Sequence, residues 1–65
     1  MQIYSNSRMR DVVAEYLHNK AYQEIFILHF CDGLTFEQTA ERVGYSVGRT
    51  KEIVKQYRDM IFTRL

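Results

Sequence analysis

The sequence has no proline, a single cysteine and no long apolar run. The absence of proline and of any low-complexity stretch favours a compact helical domain over a disordered chain, and 65 residues make one domain, 1–65, close to the lower limit for independent folding. One cysteine cannot close an internal disulfide, which points to a reducing, cytoplasmic setting. No stretch approaches membrane-spanning length, and the opening MQIYSNSRMR lacks the apolar core of a signal peptide, so no membrane partner is expected. Metal and catalytic patterns are missing as well. His29, Cys31 and Asp32 are close in sequence, but residues two apart do not share a helix face. No second ligand pair with zinc spacing exists, and His18 stands alone. There is no Ser-His-Asp order, glycine-rich phosphate loop or paired-carboxylate motif. The expectation is a chain with no metal, no cofactor and no enzymatic activity.

Net charge is scarce too, at +1. Its distribution is uneven. Residues 1–41 carry Arg8, Arg10 and Lys20 against Asp11, Glu15, Glu24, Asp32, Glu37 and Glu41, three cations against six anions, a net −3. Residues 42–65 carry Arg42, Arg49, Lys51, Lys55, Arg58 and Arg64 against Glu52 and Asp59, six against two, a net +4. A positive pole of this kind steers a polyanion to one face. The plain alternative is a solvated helix face, since cations near a helix C-terminus are favourable in any case.

What the chain does have is apolar side chains, 46% of residues, enough to fill a small helical core. Met1 to Asn6 reads as an extended arm, with Ile3 and Tyr4 able to tuck against the domain. Ser7 is a candidate cap for a first helix ending near Leu17 or His18, whose stripe is Met9, Val12, Val13, Tyr16 and Leu17. His18-Asn19-Lys20 reads as a short connection. A second helix, about Ala21 to Cys31, is apolar on most sides (Tyr22, Ile25, Phe26, Ile27, Leu28, Phe30) and is expected at the centre, stopped by Asp32-Gly33. Leu34 is expected to enter the core.

The most informative stretch is GLTFEQTAERVGYSVGRTKEIVK, residues 33–55. Thr35 and Gln38 have the spacing of a capping box. Phe36, Thr39, Ala40 and Val43 form one face, and Gly44 suits the left-handed residue that ends a helix. Ser46 caps the next helix, whose inner face is Val47, Thr50, Ile53, Val54 and Tyr57. Ala40 sits where two helices should approach most closely, and Tyr45 precedes the second cap as a staple. Further on, Ile61 and Leu65 continue the inner stripe while Met60 and Phe62 widen it, either to close the core or to form a dimer contact.

This stretch resembles the helix-turn-helix of bacterial sigma-factor region 4 and its small phage-encoded relatives. The residues that carry the resemblance are Gly33-Leu34-Thr35, Phe36-Glu37-Gln38, Ala40-Glu41, Val43-Gly44, Ser46-Val47 and Ile53-Val54. Thr39 and Thr50 depart from it, standing where Ile or Val is usual, and a hydroxyl there must find a partner such as the carbonyl four residues back. Val47 and Gly48 depart from it where relatives often place polar reading residues. The resemblance implies an all-α, four-helix domain with its helix-turn-helix core at 35–57 and the last helix as the recognition helix.

On that helix the row opposite the inner face is Gly48, Glu52, Lys55, Gln56 and Asp59, flanked by Arg49 and Lys51. Its N-terminal part would meet base edges. Arg49 or Lys51 could reach guanine or phosphate, Glu52 a cytosine amino group, and Gln56 adenine. Lys55 suits phosphate or long-range attraction. Gly48, costly in a helix, would allow close approach of the DNA backbone or a thymine methyl, and is equally read as a neutral accident. Ser46, Thr35 and Gln38, at two helix starts, could hold backbone phosphates. Glu52 has a plain alternative, pairing with Arg49, Gln56 or a nearby Lys.

The expected function is transcriptional regulation through sequence-specific binding of double-stranded DNA. One reading helix makes few base contacts, so a homodimer with half-sites about 34–36 Å apart is a natural extension. The alternative is a protein-interaction module on the same fold, docking on RNA polymerase or another transcription protein, as the resemblance also implies.

Overall fold

Asn19, Thr35 and Ser46 divide the chain. Each has extended backbone and accepts hydrogen bonds through its side chain from the first turn of the helix that follows. The computed structural model describes residues 6–65, which form four helices and no strand. Helix α1 spans Asn6–Tyr16, α2 Lys20–Phe26, α3 Phe36–Val43 and α4 Val47–Arg64, and a π-helical turn over Ile27–Cys31 continues α2. The domain is all-α.

Several boundaries differ from the sequence reading. The predicted arm lies outside the described residues except for Asn6, which already belongs to α1. Ser7 is therefore inside the helix and does not cap it. Asn19 is not a mere connector: its Oδ1 accepts from the amides of Ala21 and Tyr22 at 2.9 and 3.3 Å. The second helix does not run as regular α to Cys31. From Ile27 it winds one residue wider, with the Asp32 amide donating to the Ile27 carbonyl at 3.1 Å. Gly33 then takes a φ of 75°, which turns the chain so that the Leu34 amide donates to the Leu28 carbonyl at 3.0 Å. Leu34 is half-buried and joins neither core cluster, so here its backbone matters more than its side chain.

The core has two parts. Met9, Val12, Val13 and Leu17 of the α1 segment meet Phe26 and Ile61, with Met60, Phe62 and Leu65 packed alongside. The end of α4 thus closes the core rather than standing free. The second part is Ile25, Ile53 and Val54, surrounded by Phe36, Val43, Tyr45 and Tyr57. Ile25 and Phe26 are neighbours in α2, so this helix joins the two parts and is the centre of the fold, as expected of a helix apolar on most sides. Tyr22 and Phe30 touch both. The wide turn carries an aromatic chain: Phe30 lies 5.5 Å from Phe26 and 5.0 Å from Phe62, and His29 stacks on Phe36 at 4.2 Å.

Helices α3 and α4 start alike. The capping box is complete, with Thr35 Oγ1 accepting from the Gln38 amide at 3.1 Å and Gln38 Oε1 from the Thr35 amide at 2.9 Å. Ser46 Oγ accepts from the Arg49 amide at 3.1 Å. Four residues after each cap comes a fully buried threonine, Thr39 or Thr50. The Thr50 hydroxyl donates to the Ser46 carbonyl at 2.9 Å, whereas Thr39 Oγ1 is buried without a partner. The expectation that both hydroxyls find a carbonyl is corrected for Thr39. The amides of both residues bond the same relative carbonyl, so the difference lies in the side-chain torsion.

Thr39→Val should therefore stabilise the domain by about 1–2 kcal/mol, because it removes a desolvated hydroxyl and keeps the branched shape. Thr50→Val, which gives up a satisfied bond, should be close to neutral. Urea unfolding of both variants checks this pair, and a loss of stability in the Thr39 variant would mean that its hydroxyl is bonded after all.

Candidate nucleic-acid interface

Helix α4 is anchored along one side. Thr50, Ile53 and Val54 are buried and Tyr57 is half-buried, while Gly48, Arg49, Lys51, Glu52, Lys55 and Gln56 are exposed. Every position predicted to face outward on this helix does so. Gly44, with a φ of 79°, ends α3, and residues 44–46 separate it from α4. Ala40 lies 2% exposed beneath this break, and its carbonyl accepts from the amides of both Gly44 and Tyr45. Tyr45 packs against the Ile25–Ile53–Val54 group, which fixes the entry into α4.

The caps also define chemistry at the surface. In the capping box, Gln38 uses its oxygen and Thr35 its lone pair, which leaves the amide NH2 and the hydroxyl proton as donors. Ser46 is in the same position, its oxygen accepting from Arg49 and its proton free to be donated. Thr35, Gln38 and Ser46 are all exposed. Donors of this kind beside a positive helix end suit an anionic oxygen.

Arg49 and Glu52 are paired, with Nη1 donating to Oε1 at 2.7 Å. Both side chains are largely exposed, so the pair adds little to stability. The hydrogen bond to Glu52, followed by the neighbouring Tyr22, raises the Arg49 pKa above its ordinary value, and the guanidinium stays charged. Lys51 extends over Phe36, its Nζ 5.9 Å from the ring centroid. The stack of Lys51, Phe36 and His29 thus links α4 to α3 and to the wide turn. His29 Nδ1 donates to the Leu34 carbonyl at 2.8 Å, which fixes its tautomer.

Sequence reasoning did not find Tyr22 at this surface. Its hydroxyl accepts from Arg49 Nη2 at 2.8 Å although the two residues are 27 apart in the chain. No local pattern signals such a contact. A polar-tipped aromatic in the first turn of α2 was the one available hint.

Elsewhere the surface is plainer. A shallow groove of about 290 Å³ beside α1 and α2 is lined by Arg10, Lys20, Gln23, Glu24, Ile27 and Leu28. Cys31 is half-buried, and desolvation pushes its thiol up, away from the reactive thiolate. Among the described residues no three His, Cys, Asp or Glu side chains gather as a metal site, and no helix is long and apolar enough to cross a membrane. No protein-family model, curated protein or solved structure matches the chain.

Proposed function

We propose that the chain is a sequence-specific double-stranded DNA-binding regulator of transcription, in which α3 and α4 act as a helix-turn-helix of the sigma region-4 type. The observation that carries this reading is the sidedness of α4. Its first two turns are held to the core by Thr50, Ile53 and Val54, the opposite side offers Glu52, Lys55 and Gln56 to solvent, and Arg49 and Lys51 flank that row, also exposed. An amphipathic rod fixed on one side and polar on the other fits a major groove about 12 Å wide. The net +4 of residues 42–65 supplies attraction for phosphate on the segment that carries the rod. Thr35, Gln38 and Ser46 supply donors for backbone oxygens on either side of the break.

In this arrangement Arg49 reads guanine, Glu52 both orients Arg49 and meets a cytosine amino group, and Gln56 meets adenine. Lys51 and Lys55 hold phosphates. Two copies related by a two-fold axis would read half-sites about 34–36 Å apart. The test is selection of bound sequences from a random duplex pool at two salt concentrations. Enrichment of one motif supports the reading, and no binding at moderate salt rejects it.

Gly48 gives a separate check. A Cβ built there meets nothing within 4 Å, so Gly48→Ala meets no clash in the free protein. The substitution should raise stability by up to about 1 kcal/mol, as expected for a helical position. It should also weaken duplex binding, because the added methyl group stands where the DNA would come closest. Thermal unfolding and duplex titration of the same sample separate the two effects.

A second reading is a protein-docking module, with RNA polymerase as the partner that the sigma resemblance suggests. The low net charge of +1 and the carboxylate of Glu52 on the outward face favour it. Capture of polymerase without any shift of duplex DNA would select it.

A further inference from the structure

Arg49 is held from two directions. Besides the bond to Glu52, its Nη2 donates to the Tyr22 hydroxyl at 2.8 Å, and its Cζ lies 6.0 Å from the Tyr22 ring centroid. The two partners differ in kind. Glu52 lies three residues further along α4 and is exposed, so alone it would leave a long side chain free to change rotamer. Tyr22 belongs to α2 and is half-buried, with its ring 5.6 Å from that of Tyr57 and packed against both parts of the core. The phenol oxygen is thus a fixed point on the body of the domain, reached across the surface by a residue of another helix.

The donor count makes this arrangement compatible with binding. A guanidinium has five N–H donors. One goes to Glu52 and one to Tyr22, and a bidentate contact with guanine O6 and N7 needs two of those left. By count three N–H groups remain, so a base contact made through two neighbouring ones among them leaves Glu52 and Tyr22 in place. Rotamer freedom that would otherwise be lost on binding is already lost in the free protein.

We infer that Tyr22, outside the helix proposed to read DNA, is a positioning residue that sets the guanine preference of Arg49. The inference rests on the DNA-binding reading above. Removing the phenol oxygen changes no charge, so general attraction to DNA and its salt dependence stay as they are. What falls is discrimination at the one base that Arg49 addresses.

Tyr22→Phe tests this, since it keeps the ring beside Tyr57 and removes only the hydroxyl. The wild-type protein, Tyr22→Phe and Arg49→Ala are each taken through selection on random duplexes and titrated at two salt concentrations. Tyr22→Phe should lower guanine preference at one position by about 3- to 10-fold, the worth of one hydrogen bond, with affinity for random duplex and the salt slope unchanged. Arg49→Ala should remove that preference altogether. In the free protein, NMR should show slow rotation of the Arg49 guanidinium in the wild type and fast rotation in Tyr22→Phe, with thermal unfolding confirming that the variant is folded. Full guanine preference in Tyr22→Phe, with loss in Arg49→Ala, would overturn the role of Tyr22 and leave the DNA reading intact. If Arg49→Ala also keeps its preference, or no duplex is bound, the DNA reading of this face fails and the inference fails with it.

Discussion

Phe26→Ala should leave the domain largely unfolded at physiological temperature. Phe26 is fully buried and is the largest side chain of the core. It packs with residues of α1 and the end of α4, and its ring lies 5.5 Å from that of Phe30. Truncating such a residue costs about 3–5 kcal/mol, from lost transfer energy and the cavity left behind. A domain of this length has only about 3–10 kcal/mol in total. The thermal midpoint should fall by about 15–40 °C. Phe36, half-buried at the surface between His29 and Lys51, should show a much smaller loss when truncated. A fall of only a few degrees for Phe26→Ala would mean that α2 is not the element on which the others close.

The second large effect is expected on binding. Arg49→Ala combined with Lys51→Ala should reduce affinity for the selected duplex by about 5- to 150-fold from the lost base contact, before any phosphate term is added. The two substitutions act differently. Loss of Arg49 should relax one position of the recognised sequence. Loss of Lys51 should weaken binding to all duplexes alike and reduce the logarithmic salt slope by about one. Neither side chain is part of the buried core, so unfolding curves should move little. Titrations of the single and double variants at several salt concentrations separate the terms, and unchanged affinity in the double variant would remove this face from any role in binding DNA.

Much of the fold was legible because its signals are local. Thr35 and Gln38, Gly44 and Ser46 act on backbone groups within a few residues, so spacing alone reveals them. The inner face of α4 was equally plain, since Thr50, Ile53 and Val54 follow one helical period. Where two descriptions of the same residues competed, the sequence was less decisive. Asn19 read as part of a connector, although its side chain caps α2, because asparagine suits both roles. The wide turn at Ile27–Cys31 left no mark in the apolar pattern, because nearly every residue there is apolar whichever way the chain winds. Thr39 and Thr50 are the same residue at the same place in their helices, and only packing distinguishes them. At the candidate interface, the exposed row followed from periodicity, whereas Arg49 was only one of several partners open to Glu52. The Tyr22 contact did not follow from any spacing, because tertiary structure alone brings α2 beside the start of α4.

The wide turn has a consequence for changes in chain length. A loop closed between residues five apart holds one more residue than an ordinary helical loop. Removing a single residue from Ile27–Cys31 can be absorbed by a return to regular winding, leaving the heading of the exit at Gly33 almost as it was. The same removal from the middle of α4 would rotate everything beyond it by about 100° and turn buried side chains outward. The segment between α2 and α3 is thus a slack point in the register of the molecule, and a single-residue deletion should be tolerated better there than in the middle of α4.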